Sequence, residues 1–258
     1  MESLDTRPWR AYHNRQLRGS GWSAYGESRK GSNRACNEDN YILAPLAHDR
    51  LLVAVADGLG GHNAGRIASR LACETLYDSA HNGTLDRIDD SGGSVLQALE
   101  AVIQDAHQRI AMWSKDIAAF EGMGCTLTAA VIAMHRAWYC HVGDSRLYQI
   151  SDTSCLKITE DHIATNGALL TQALGIEEKH NHLEIQQGAI PLRDSDALLL
   201  CSDGLYRRLA ESRVADIVRS EGSIVTRVQT LICASLEAGS SDDITAVMVA
   251  MTAQSRTV

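Results

Sequence analysis

The sequence predicts an α+β domain in which helices cover antiparallel sheets. Three observations point there. Strand-length apolar runs come in consecutive, meander-like groups. Helical stripes fall in two separate blocks and do not alternate with the strands, as a parallel βαβ sheet would require. The 258 residues contain only 3 prolines, with no linker and no internal repeat, so a single domain is expected.

Taken in order, residues 1–21 are polar and rich in arginine (Arg7, Arg10, Arg15, Arg18), without any period. They are expected to form a flexible tail ahead of one domain over 22–252. Strand-like runs follow at 22–27, 40–45 and 51–56. The last of these, LLVAVA, is aliphatic throughout, which predicts burial on both faces. A helix is expected from Ala64, where Ile67, Leu71 and Leu76 with Ala68 and Ala72 make an apolar stripe. The Gly/Asp/Ser-rich stretch 81–93 reads as a loop. Ser94 is expected to cap a long helix to 119, with Leu99, Val102, Ile103, Ala106, Ile110 and Trp113 on one face. Further strands are expected at 126–134, 137–142, 146–150 and 197–201. Helices are expected at 214–218 and 224–236, and a closing strand at 244–251.

The composition is that of a folded domain: 45% hydrophobic and 22% charged. With 24 Lys+Arg against 32 Asp+Glu, the net charge is −8. That balance argues against a nucleic-acid partner, which would want a basic surface. No run approaches the roughly 20 apolar residues of a membrane span, and no apolar segment near the start resembles a secretory signal. The 7 cysteines are odd in number, scattered and lack a CxxC pair. Reduced thiols in a cytoplasmic setting are expected.

Several carboxylates sit where strands end or begin. Asp57 follows LLVAVA and precedes Gly58; Asp203 follows LLLCS and precedes Gly204. Asp242 and Asp243 open the last strand, Asp144 lies in a tight GDS turn, and Glu38 and Asp39 precede the strand at Tyr41. Taken singly, each is a common turn residue. Five such positions with little Lys or Arg beside them point instead to hard cations, Mg²⁺ or Mn²⁺, which take oxygen ligands. Arg34, four residues before Glu38, offers a planar fork for phosphate. Cations and an arginine together suggest hydrolysis of a phosphate ester.

At these residues the chain resembles a known family. GSNRACNED (31–39), VADGLGGHNAG (55–65), GCTLTAAVI (124–132), HVGDSRLYQI (141–150), ITEDH (158–162), LTQALG (170–175), LLLCSDGLY (198–206) and SDDITAVMV (241–249) stand in the order found in bacterial metal-dependent Ser/Thr phosphatases of the PPM/PP2C type. The resemblance implies a four-layer α-β-β-α sandwich, two antiparallel sheets covered by helices. It implies dephosphorylation of phosphoserine and phosphothreonine by direct attack of a metal-activated water, with two core Mn²⁺ or Mg²⁺ ions and room for a third. It makes Asp57 the bridge between the two ions, with the Gly58 carbonyl on the second. Asp203 and Asp242 complete the first, with Asp243 the other candidate for that last position. Glu38 and Asp39 serve the second, Asp144 with Asp203 would hold a third, and Arg34 takes the phosphate. His62 either assists at the substrate or caps the following helix. The partners implied are phosphoprotein substrates of a Ser/Thr kinase, and a monomer is expected.

Some positions depart from the family pattern. Leu59 stands where eukaryotic members carry a His proposed as general acid, so that role is not assigned. Arg66 replaces a common acidic residue, Gln172 a common Arg, and Asp243 the usual Asn. The flap segment near 161–174 is short, which predicts an open cleft. Three competing readings remain. Cys140 to Arg146 and Cys201 to Arg207 both fit the Cys-x5-Arg spacing of thiol phosphatases, although each loop carries an aspartate that would repel phosphate. GLGGHNAG is a weak nucleotide-loop signal without Gly-Lys-Ser/Thr. A pseudophosphatase acting as a binding module would be expected to have lost metal carboxylates.

Overall fold

The computed structural model describes residues 13–60, 64–86, 93–165, 169–176 and 182–252. The strands and helices are β1 (Leu17–Arg18), β2 (Trp22–Arg29), β3 (Asn40–Leu46), β4 (Arg50–Ala56), β5 (Gly58–Leu59), α1 (Ala64–His81) and α2 (Gly93–Asp116). There follow β6 (Gly124–Cys125), β7 (Leu127–Ala133), β8 (Arg136–Val142), β9 (Arg146–Ile150), β10 (Cys155–Lys157), β11 (Gln186–Pro191) and β12 (Ala197–Cys201). The chain closes with α3 (Asp203–Tyr206), α4 (Glu211–Arg219), α5 (Ile224–Glu237) and β13 (Ile244–Met251).

One sheet runs β1-β2-β13-β12-β9-β10 and the other β11-β8-β7-β4-β3, all neighbours antiparallel. Side chains alternate across each strand, so three apolar layers arise. Leu51, Val53 and Val55 of β4 meet Leu198, Leu200, Val247 and Val249 of the facing sheet. Leu52 and Ala54 turn the other way, onto α1 and α2. Leu199, Cys201 and Met248 pack against α4 and α5. The order of layers is therefore α-β-β-α, and LLVAVA is aliphatic throughout because helix covers one of its faces and sheet the other.

The short elements β5, β6, β10 and α3 were not expected, and three further features differ from expectation. Ser94 lies inside the first turn of α2, which begins at Gly93. β11 was not legible: burial alternates along it, but its more buried positions are Gln186, Gly188 and Ile190, so QQGAIP shows little hydrophobic alternation. The expected tail is structured from residue 13 on: Leu17 and Arg18 pair with Ala24 and Ser23, and His13 stacks on Tyr41 at 3.9 Å. Residues 1–12 lie outside the described part. Among the described residues no helix is long and apolar enough to cross a membrane.

The register brings one set of strand ends together. Cys201 at the end of β12 lies beside both Arg146 and Ala246, Ile244 lies beside Arg29, and in the other sheet Ala56 lies beside Asn40. The residues just past these ends, 57, 144, 203, 242 and 38–39, consequently meet at one edge of the sandwich.

Full burial of both faces has a measurable consequence. Leu198→Ala and Leu199→Ala point to different layers, yet each should cost about 2–5 kcal/mol of unfolding free energy. Urea denaturation of the two variants checks this. A cost below about 1 kcal/mol for either would mean that its face is not closed.

Candidate metal centre and active-site cleft

Gly58 begins β5 so close to Gly65 of α1 that a side chain on either would strike the other's backbone. Gly58 and Gly65 of GLGGHNAG thus serve a strand–helix crossing. His62 lies outside the described residues. Asp57 is held from behind: its N–H donates to Thr126 Oγ1 at 3.0 Å, and the Thr126 N–H donates to the Asp57 carbonyl at 2.8 Å. The Thr126 hydroxyl also meets Ser145 Oγ at 2.6 Å, tying the bridge position to the GDS turn. In that turn Gly143 has φ 103°, which other residues rarely adopt. Neither Thr126 nor Ser145 was singled out from sequence, since the pair is made by strand pairing and leaves no local pattern.

Arg34, Glu38, Asp57, Gly58, Asp144 and Asp203 line one cleft of ≈ 360 Å³, together with Leu59, Gly60, Leu169, Leu170 and Arg207. Asp39 is buried beside them. Its Oδ2 accepts from the hydroxyls of Ser202 at 2.7 Å and Thr245 at 2.6 Å, while its Oδ1 is buried without a hydrogen-bond partner. Asp242 meets Arg34 at 2.6 Å. Asp243 differs from its neighbour. Its two oxygens accept the backbone N–H groups of Gly31 and Glu38, each at 2.8 Å, whereas Asp242 pairs with Arg34 of the cleft wall. The short segment after Asp161 brings Leu169 and Leu170 to the cleft wall.

Two arginines hold the acidic walls. Arg34 bridges Asp242 and Glu38, the latter at 3.4 Å. Arg207 bridges Asp203 at 3.0 Å and Asp144 at 3.2 Å. Arg207 follows Asp203 by four residues, a spacing visible in sequence, yet its role is set by the turn that α3 makes. Tyr206 donates its hydroxyl to the Asp144 carbonyl at 3.0 Å, and the Arg146 guanidinium lies 3.5 Å over its ring. Arg146 in turn pairs with Asp161 of ITEDH at 2.6 Å.

The electrostatics follow from crowding. Low-dielectric surroundings and then the charges of Asp39, Asp203, Asp144 and Asp242 push the Asp57 carboxyl well above the ordinary range. Burial pushes Asp39 up to about 7, against the hydroxyl donors that lower it. Burial also raises Asp203 to about 6, with Arg207 pulling the other way. Among the described residues no three acidic, imidazole or thiol groups close on one point as a finished metal cage. The set fits a divalent cation all the same: the donors are oxygens, they repel one another, and Asp39 Oδ1 is buried with no partner.

Burial raises the thiols. Cys140 is pushed up to about 12 and Cys201 higher still, and residues 146–150 are strand, where a phosphate cradle would need a helix N-terminus. Both thiols are buried, so neither thiol-phosphatase reading gains support. No disulfide joins any of the described cysteines.

The family model described as Protein phosphatase 2C matches residues 26–238. The chain belongs to the protein phosphatase 2C family. It is 30% identical over 235 residues to the serine/threonine phosphatase stp of Listeria welshimeri, covering 85% of this chain and 92% of that protein. It is 32% identical over 236 residues to the protein phosphatase PhpP of Streptococcus pneumoniae, covering 86% and 94%. Among solved structures, the catalytic domain of the phosphatase PstP in complex with two manganese ions superposes with a TM-score of 0.75 at 30% identity, covering 90% of this chain and 99% of that one. The protein phosphatase 2C motifs read from sequence are thus carried on the fold that the family uses.

The raised carboxyls predict a pH dependence. An acid whose folded pKa lies above its unfolded value of about 3.9 binds more protons when folded in the interval between the two. Stability then falls as pH rises through that interval, here from about 4 to 7. Chelator-treated protein should melt lower at pH 8 than at pH 5 in scanning calorimetry, and Asp39→Asn should shrink the difference. Equal melting at both pH values would show that the carboxyls are not raised.

Proposed function

We propose that this protein phosphatase 2C member hydrolyses phosphoserine and phosphothreonine in proteins and depends on Mn²⁺ or Mg²⁺. One observation carries the reading. Carboxylates from the ends of both sheets converge on a single cleft with Arg34 in its wall, in a chain that matches the family over residues 26–238. The pseudophosphatase alternative needs lost carboxylates, and Glu38, Asp39, Asp57, Asp144, Asp203 and Asp242 are all retained.

In this reading Asp57 would be shared by two cations, one held also by the Gly58 carbonyl, Glu38 and Asp39 and the other by Asp203 and Asp242. Asp144 with Asp203, both now paired with Arg207, would hold a third. Bound cations supply Lewis acidity and generate a nucleophile from water near neutral pH. The residues of the chain do the rest. Arg34, released from Asp242 and Glu38, presents two parallel donors to the phosphate oxygens. Tyr206 orients Asp144. Asp243 clamps the loop 31–38 at both ends and so places Arg34. The relatives named Ser/Thr phosphatases support phosphoproteins as substrates, made by a Ser/Thr kinase, and the manganese in PstP supports the ion. A monomer working in the cytoplasm is part of the same reading.

Two experiments test it. Asp57→Asn should lower kcat on a phosphopeptide by several powers of ten, each about 1.4 kcal/mol of transition-state stabilisation, with an unchanged circular dichroism spectrum. Near-normal kcat at saturating Mn²⁺ would overturn the assignment. Asp243→Asn keeps one acceptor and turns an NH₂ toward a backbone N–H, so kcat/KM should fall by roughly tenfold or more. If Asp243 acts through Arg34, that loss should vanish in an Arg34→Ala background. Losses that multiply in the double variant would place its effect elsewhere.

A further inference from the structure

Leu59 and Leu170 line the catalytic cleft and also a second cavity of ≈ 140 Å³. The described lining of this cavity is otherwise Ala173, Ile176 and Leu183 with the polar Thr171 and Gln172. The two cavities therefore share a wall that begins two residues beyond Asp57. Nothing in the hydrolytic chemistry uses the second one.

The cavity is preformed. Leu59 is paired in β5 with Gly124 of β6, and Leu170 is bridged to Ile163. Cys125 and Leu174 exchange backbone hydrogen bonds at 3.1 and 2.8 Å. Gly124 leaves the space that Ile176 fills: a Cβ there would come within 2.9 Å of the Ile176 side chain. Gln172 spends its amide oxygen on the Glu184 N–H at 3.2 Å. Ile176 of this cavity is 39% exposed, and Leu169 of the cleft wall is 65% exposed. A cleft walled by carboxylates and arginines thus shares a wall with a cup whose side chains are aliphatic except for Thr171 and Gln172, and which also exposes polar groups.

We propose that this cup takes one apolar side chain of the phosphoprotein, from a residue one or two positions from the phosphorylated one. The proposal rests on the phosphatase reading of the cleft and adds the substrate class. Continuity through Leu59 and Leu170 names the occupant, because a peptide whose phosphate lies in the cleft must run past that shared wall. Size narrows it further. A cavity of about 150 Å³ lined by aliphatic and aromatic groups holds one benzene, so leucine, valine, isoleucine or phenylalanine fits and the indole of tryptophan does not. Rigid walls mean that little ordering cost offsets the burial. The short flap is then no sign of indifference to sequence, since it supplies Leu170 to both cavities.

The test is kcat/KM on phosphoserine peptides that carry glycine, leucine, phenylalanine, tryptophan or aspartate at the two positions on either side. Leucine and phenylalanine at one of them should exceed glycine by roughly tenfold or more, the discrimination expected of an apolar pocket. Tryptophan and aspartate should gain nothing. Ile176→Ser and Leu183→Ser, neither of which lines the cleft, should erase the preference while leaving the glycine peptide unchanged. Turnover of all peptides at equal kcat/KM would overturn the cup and leave the phosphatase standing. Absence of turnover with any peptide would overturn both. The wild-type panel decides the matter even if a variant fails to fold.

Discussion

Mutual repulsion among carboxylates at one edge of the sandwich is the constraint on which the rest of the site depends. Asp39, Asp144, Asp203 and Asp242 meet Asp57 there, and each raises the cost of ionising it. Charges this close in low dielectric persist only with counter-charge. The chain supplies Arg34 and Arg207 for the purpose, and each bridges two acids. Counter-charge that can swing away is what a site for incoming cations and an incoming phosphate requires.

Holding such a set in place calls for rigid attachments. The carboxylates stand on the ends of strands buried on both faces, and their backbones are tied across the edge. Thr126 locks Asp57, Ser145 joins that lock to the Asp144 turn, and Asp243 staples residues 31 and 38 to the start of β13. Each tie joins segments from different strands. The motifs that recur in the family order are therefore two kinds of residue interleaved: groups that face the cleft, and groups that fix the ones that do.

The apolar cup beside the cleft grows from the same edge. β5 and β6 place Leu59, and the return from Asp161 places Leu170. An arrangement that needs charge for hydrolysis and apolar surface for reading a peptide obtains both within a few residues of Asp57. Leu59 serves the second purpose at a position where a polar group would serve the first.

Much of this was legible in the sequence. LLVAVA announced burial on both faces, because no exposed strand is aliphatic throughout. Recurrence of strand–Asp–Gly at Asp57 and Asp203 marked the rim of the cleft, because an acid directly after a buried strand has little freedom in where it stands. The order of eight short motifs carried the family and with it the four layers. Tertiary structure alone decided the rest. β11 escaped notice because its more buried positions include Gln186 and Gly188, and residues 13–21 looked like a tail because two paired residues leave no period. Asp242 and Asp243 are adjacent and chemically identical, and only the backbone N–H groups of Gly31 and Glu38, more than 200 residues away in the chain, separate the acid that pairs with Arg34 from the acid that staples the loop. Local pattern records burial and turn chemistry, which act between near neighbours in sequence; the direction in which a carboxylate spends its lone pairs is set by whatever the fold brings to it.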